Sequence, residues 1–222
     1  MLPPVAIVWP CPLSVDAYVA AGRDVEVPRP VCPRCGGATT WWSGYRRFVR
    51  SDGASRAIFV RRVRCGRCQI TEALLPAFVF CGRLDVVESI GEVLEAVAVG
   101  PGGVRPAAAA RDVPHTTARG WVRRFAARAA GVSVGFAALA VELGGEVVDA
   151  IGDVAGHALV AIASAFGAAG ALAGWDALGC WRFVSAVSGG RVIATNTNTP
   201  YLIVGRRRFM PPVPSDGTRP EE

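Results

Sequence analysis

Cys32-Pro33-Arg34-Cys35 and Cys65-Gly66-Arg67-Cys68 are two C-x-x-C pairs separated by 29 residues. Each pair presents two thiolates from one tight turn, and four thiolates satisfy tetrahedral zinc. Gly36 and Gly66 are expected to supply positive φ at the two turns. The gap exceeds the usual ~15–20 residues of a compact four-cysteine site. Residues 41–49 and 56–64 read as strands, with Ser51-Asp52-Gly53-Ala54-Ser55 a turn by composition, so a long β-hairpin takes up the excess. Neither pair adjoins a βαβ pattern, which argues against a thioredoxin-like redox motif. An all-cysteine ligand set, Cys32, Cys35, Cys65 and Cys68, predicts one structural Zn²⁺ in a closed site with no catalytic water. Cys11, Cys81 and Cys180 read as small buried hydrophobes.

The charge pattern points outward from the same stretch. The 222 residues carry a formal net charge of +6, and all 24 basic residues are arginine. Residues 31–84 hold ten of them against Asp52 and Glu72, whereas residues 136–180 hold five acids and no arginine. So concentrated a basic block is the footprint expected for an anionic polymer. With 51% hydrophobic residues the chain is not a disordered polyelectrolyte. Met1 to Pro10 lacks the basic region of a signal peptide, so a cytoplasmic, reducing compartment is expected and metal ligation is favoured over disulfides.

Beyond residue 84 the periodicity turns helical. A helix is expected over 86–99, capped by Asp85 with Glu88 at the capping-box position and ended by Gly100-Pro101. A short Ala-rich helix over 107–111 follows Arg105-Pro106. A turn at Asp112-Val113-Pro114 then leads to a third helix reaching about residue 130. Asp112 stands where such a turn often has Gly, and Asp tolerates the left-handed region. Val113, Ala118, Trp121, Val122 and Phe125 supply the apolar contacts of a helix-turn-helix. The outer face keeps short polar residues first and arginine behind them, which suits a major groove. The candidate DNA contacts are His115, Thr116, Thr117, Arg119, Arg123, Arg124 and Arg105, with Arg46, Arg47, Arg61 and Arg62 from the hairpin.

Residues 32–128 resemble the N-terminal part of bacterial insertion-element transposases, a zinc ribbon followed by a linking helix and a helix-turn-helix. The resemblance rests on CPRCGG at 32–37, SGYRRFVR at 43–50, RRVRCGRC at 61–68, TEALLPAF at 71–78 and VRPAAAARDVPHTTARGWVRRF at 104–125. Within it the chain looks like a small group that lacks an evident catalytic domain. The resemblance implies double-stranded DNA as partner. Such transposases add a nuclease-like domain with three dispersed carboxylates holding two metals. Here Glu142, Glu146, Asp149 and Asp153 recur at helical spacing, as on one solvated face, and no catalytic site is expected.

The expected fold class is α+β. Residues 1–31 form an N-terminal extended segment with a short strand within 5–9, 32–84 the zinc ribbon and 85–130 the helix-turn-helix. Residues 131–210 are an Ala/Gly-rich, mostly helical region with a strand near 191–195, and 211–222 a disordered tail. The uncharged run 154–175 meets the length of a membrane span, but its Ala and Gly gain little from lipid, and no span is expected. The function expected is that of a non-enzymatic, zinc-dependent DNA-binding protein, a regulator or mobile-element accessory factor, whose C-terminal helices pack or dimerise. A catalytic transposase or its remnant is one alternative, and a protein-interaction adaptor built on the ribbon is another.

Overall fold

The computed structural model describes residues 6–146, 152–173 and 175–194, a mixed α+β arrangement with one four-stranded sheet. The β-branched and aromatic residues of Thr39–Ser51 (β2) and Ala54–Cys65 (β3) pair as a long antiparallel hairpin. Its turn is Asp52-Gly53, with φ 51° and 72°. Two successive positive values match the right-handed strand twist, which is why an Asp-Gly pair closes a tight hairpin. Between β2 and β3 the register shifts once, at Trp41/Ser43. Thr71–Pro76 (β4) joins β3 antiparallel, and Ile7–Trp9 (β1) adds to β4 in parallel, giving the order β1-β4-β3-β2.

The expectation of an extended segment over 1–31 is corrected. Besides β1 it contains the helix Val15–Ala21 (α1) and a 3₁₀ turn, Gly22–Asp24. Ser14 starts α1 by accepting from the Ala17 amide at 3.1 Å. Val15 and Tyr18, three apart, bury one face, and the Tyr18 hydroxyl donates to the Phe59 carbonyl of β3 at 3.0 Å.

Helices follow the sheet: Val87–Val99 (α2), Val104–Ala109 (α3), His115–Ala126 (α4), Ala129–Glu142 (α5), Val154–Ala173 (α6) and Cys180–Val187 (α7), with a 3₁₀ turn at Trp175–Leu178. Four expectations change here. Asp85 does not cap α2; it is buried and ion-paired with Arg50 of β2 at 2.6 Å, and the cap is Val86 with no side-chain hydrogen bond. The third helix ends at Ala126, and α5 restarts after a break at Ala127-Arg128. The acids after Phe136 do not share a helix: Glu142 closes α5, while Asp153 precedes α6 and accepts from the Gly156 amide at 2.8 Å. Residues 191–194 form a turn rather than a strand. Asp149, Thr195 and the expected tail at 211–222 lie outside the described residues.

Two apolar cores result. One lies under the sheet around Trp9, Tyr18, Ile58, Leu74 and Phe78; the other joins α2–α7 around Ile90, Trp121, Phe136, Ile162 and Phe183. Helix α7 ties them together. Trp181 donates to Glu95 of α2, and Arg182 pairs with Glu88 at 2.7 Å while donating to the carbonyls of Cys11 and Leu13. Ser185 donates to the Val79 carbonyl at 2.8 Å. In α6, Ala158, Ala161, Ile162, Ala165 and Ala169 turn into the helical core. Among the described residues no single helix is long and apolar enough to cross a membrane; α4 and α5 pass only as a pair bent by 63°.

Candidate metal centre and basic surface

At the open end of the hairpin the two C-x-x-C turns face each other. One ligand atom from each of Cys32, Cys35, Cys65 and Cys68 lies within 4.8 Å of the others. The sulfurs of Cys32 and Cys68 are 3.5 Å apart and those of Cys35 and Cys65 3.4 Å. A tetrahedron built on ~2.3 Å metal–sulfur bonds has edges of roughly 3.8 Å, so the four sulfurs can hold a metal ion.

The two turns are built alike. The Cys32 amide donates to the Gly37 carbonyl and the Cys65 amide to the Ile70 carbonyl, both at 2.9 Å. In return the Gly36 amide reaches the Cys32 carbonyl at 2.9 Å, and the Gln69 amide the Cys65 carbonyl at 3.0 Å. Positive φ falls on the residue after each second cysteine, Gly36 at 69° and Gln69 at 60°. Gly66 is therefore not the left-handed residue of its turn. It instead donates its amide to the Ala38 carbonyl at 3.1 Å, tying one turn to the other.

Without a cation, four adjacent sulfurs cannot all be thiolates. The Cys68 amide donates to the Cys65 sulfur and holds that thiol down to about 6, with the Cys35 thiol assisting. Cys68 feels the Ile70 amide in the opposite sense, yet burial and the thiols of Cys32, Cys65 and Cys35 push it up to about 12. A divalent cation would remove that conflict by favouring thiolate at every position. Cys11, Cys81 and Cys180 stand apart from the cluster. Burial raises all three thiols, Cys11 to about 12, as for inert packed cysteines.

The helical part of the basic surface sits on α3 and α4. These helices meet across a turn in which Asp112 has φ 50° and the Val113 amide returns to the Ala108 carbonyl at 3.0 Å. Ala107, Ala108, Val113, Ala118, Trp121 and Phe125 are buried. Thr116, Arg119 and Arg123 are exposed, as is Arg105 in the first turn of α3. His115, Thr117 and Arg124 are half-buried.

The hairpin arginines divide. Arg46 is exposed and Arg62 half-buried. Arg47 turns inward and donates to the carbonyls of Phe80 and Arg83, with burial lowering its pKa. Its expected role as a free phosphate contact gives way to bracing the segment before α2. Arg61 donates to the Arg23 carbonyl and lies over the Trp41 ring at 5.2 Å.

Three basic positions escaped the sequence reading. Arg34 and Arg67 each precede the second cysteine of a turn and are exposed, a duplicated Arg-Cys signal visible in the chain. Arg83 has no such signal. Burial and then the charge of Arg124 lower its pKa.

Across known families, a model described as "Domain of unknown function (DUF6431)" matches residues 32–111, from the first cysteine of the cluster through α3. No curated protein and no solved structure matches the chain.

Proposed function

We propose that this is a non-catalytic, zinc-dependent DNA-binding protein, a regulator or mobile-element accessory factor of the kind whose transposase relatives begin with a zinc ribbon and a helix-turn-helix. The observation that carries the reading is the division of α4 into two faces. Ala118, Trp121 and Phe125 are buried against α2 and α3, while Thr116, Arg119 and Arg123 point to solvent. That is the arrangement a recognition helix needs to offer polar groups and guanidinium to base edges. The cysteine cluster supports it by holding the open end of an arginine-rich hairpin, and Zn²⁺ is the cation that four thiolates in a closed tetrahedral site favour.

In this reading α4 selects sequence, whereas Arg62, Arg34 and Arg67 hold phosphates. Selection of bound sites from random duplex DNA, followed by titration at several salt concentrations, tests it. With about five phosphate contacts, log K falls against log salt with a slope of roughly −4 to −5. Arg119→Ala removes about 1–3 kcal/mol of discrimination between selected and random duplex. Arg34→Ala with Arg67→Ala weakens both duplexes alike and flattens the slope. A slope near zero, or specificity untouched by Arg119→Ala, overturns the assignment.

A further inference from the structure

One face of the hairpin is left out of the duplex contacts proposed above. Cross-strand partners project to the same side of a sheet. The pairs Trp41↔Val63, Gly44↔Arg61, Arg46↔Phe59 and Phe48↔Ala57 therefore place Trp41, Arg46, Phe48, Phe59 and Arg61 on one surface. Phe48 is 63% exposed and Trp41 42% exposed, large values for aromatic side chains in a chain with two well-formed cores. Phe59 lies flat across Gly44, where any Cβ would fall inside its ring, so the glycine makes room for a ring lying on the strand. Arg23 stacks over Phe59 at 4.9 Å and Arg61 over Trp41 at 5.2 Å. The result is a row of π faces interleaved with guanidinium groups.

The charge around it decides the partner. β2 and β3 together carry seven arginines and no acid, the nearest acid in sequence being Asp52 in their turn. Arg50 and Arg56 are ion-paired with Asp85 and Asp16, but Arg46 and Arg61 on this face have no ion pair among the described residues. A protein partner for such aromatic rings would meet those cations, whereas a polyanion with flat bases is matched twice, by charge and by stacking. In a duplex the base faces are already stacked on one another, so exposed rings on a flat sheet have nothing to take hold of. We infer that this face of the hairpin binds single-stranded nucleic acid, its unpaired bases stacking on Trp41 and Phe48 and its phosphates meeting Arg46 and Arg61. The inference extends the DNA-binding reading, but it uses a different surface from α4.

Titration of the full chain with three probes tests it: a short oligo(dT), the duplex selected above, and heparin, a polyanion without bases. Trp41→Ala with Phe48→Ala changes two exposed side chains, and a thermal melt confirms that the fold is kept. Each ring is expected to contribute about tenfold, so oligo(dT) binding weakens roughly 100-fold. Binding to duplex and heparin stays within about twofold. Wild-type protein that ignores oligo(dT), or a variant that binds it unchanged, overturns the proposal whatever the duplex does. A parallel loss for all three probes also overturns it, because the rings would then serve the general grip. Oligo(dT) binding lost in the variant, with no duplex bound by either protein, upholds the stacking face and overturns the role given to α4.

Discussion

The two ends of the β2–β3 hairpin are held by different chemistry. Toward the turn, Val49, Ile58 and Val60 are buried in the sheet core, and Arg50 is ion-paired with Asp85. Toward the open end, Thr40, Trp41 and Trp42 are exposed, and Cys32, Thr39, Val63 and Cys65 are among the few buried residues. Apolar burial and that ion pair organise the first end. At the second, too little apolar surface is covered to offset the ordering of two loops, and a cation held by the four sulfurs would supply what packing does not.

Removing the cation breaks that contrast most strongly. Structural zinc sites contribute on the order of 10–16 kcal/mol. Chelation, or Cys65→Ala with Cys68→Ala, is expected to open 32–37 and 65–70 while α2 and α4 stay folded. Hydrogen exchange reads this directly: amides of the two turns lose protection and those of α2 keep it. Metal analysis should find one zinc per chain in the wild type and none in the variant; equal exchange in both regions would erase the distinction.

Trp121→Ala attacks the opposite kind of support. It empties the helical core and is expected to cost about 3–5 kcal/mol in chemical denaturation. Zinc content should not change. Loss of zinc at denaturant concentrations where the variant is still folded would mean that the two regions are not separately held.

The smallest effect lies in β4. Glu72 is buried, neither carboxylate oxygen has a partner among the described residues, and burial raises its pKa to about 7, with Arg34 and Arg191 opposing. Between its unfolded value of 4.5 and about 7, the folded state keeps a proton that the unfolded chain has lost. Stability therefore falls as pH rises through that window and levels off above it. Glu72→Gln should abolish the fall and stabilise the chain above pH ~7 by about 2–3 kcal/mol. Denaturation curves at several pH values check this, and parallel pH profiles for the two proteins would refute it.

Local signals were legible and distant ones were not. The C-x-x-C spacing pointed to the cluster, Asp52-Gly53 marked the turn, and the apolar spacing around Trp121 picked out the buried face of α4. Asp85 misled because it reads as a helix cap locally, while its partner Arg50 is 35 residues away in sequence. Gln69 takes the positive φ expected of Gly66 because the turn places that conformation after the second cysteine, whatever residue stands there. Ser14 caps α1, yet the prolines at both ends of residues 1–31 read as extended chain. The inward turn of Arg47 depends on carbonyls beyond β4, and no periodicity reports that.

The tip of the hairpin does not hang free. A Cβ on Gly53 would come within 2.9 Å of an Asp112 carboxylate oxygen, so the tip rests beside the turn that launches α4. With β2 13 residues long, the arm from that turn to the sulfurs measures roughly 40 Å at ~3.3 Å per residue. Duplex DNA repeats every ~34–36 Å. Under the proposed DNA-binding reading, the arm would act as a ruler of about one helical turn, setting how far along a bound duplex Arg34 and Arg67 land from Arg119. Lengthening both strands by a residue pair would move one grip along the polymer without altering either contact surface.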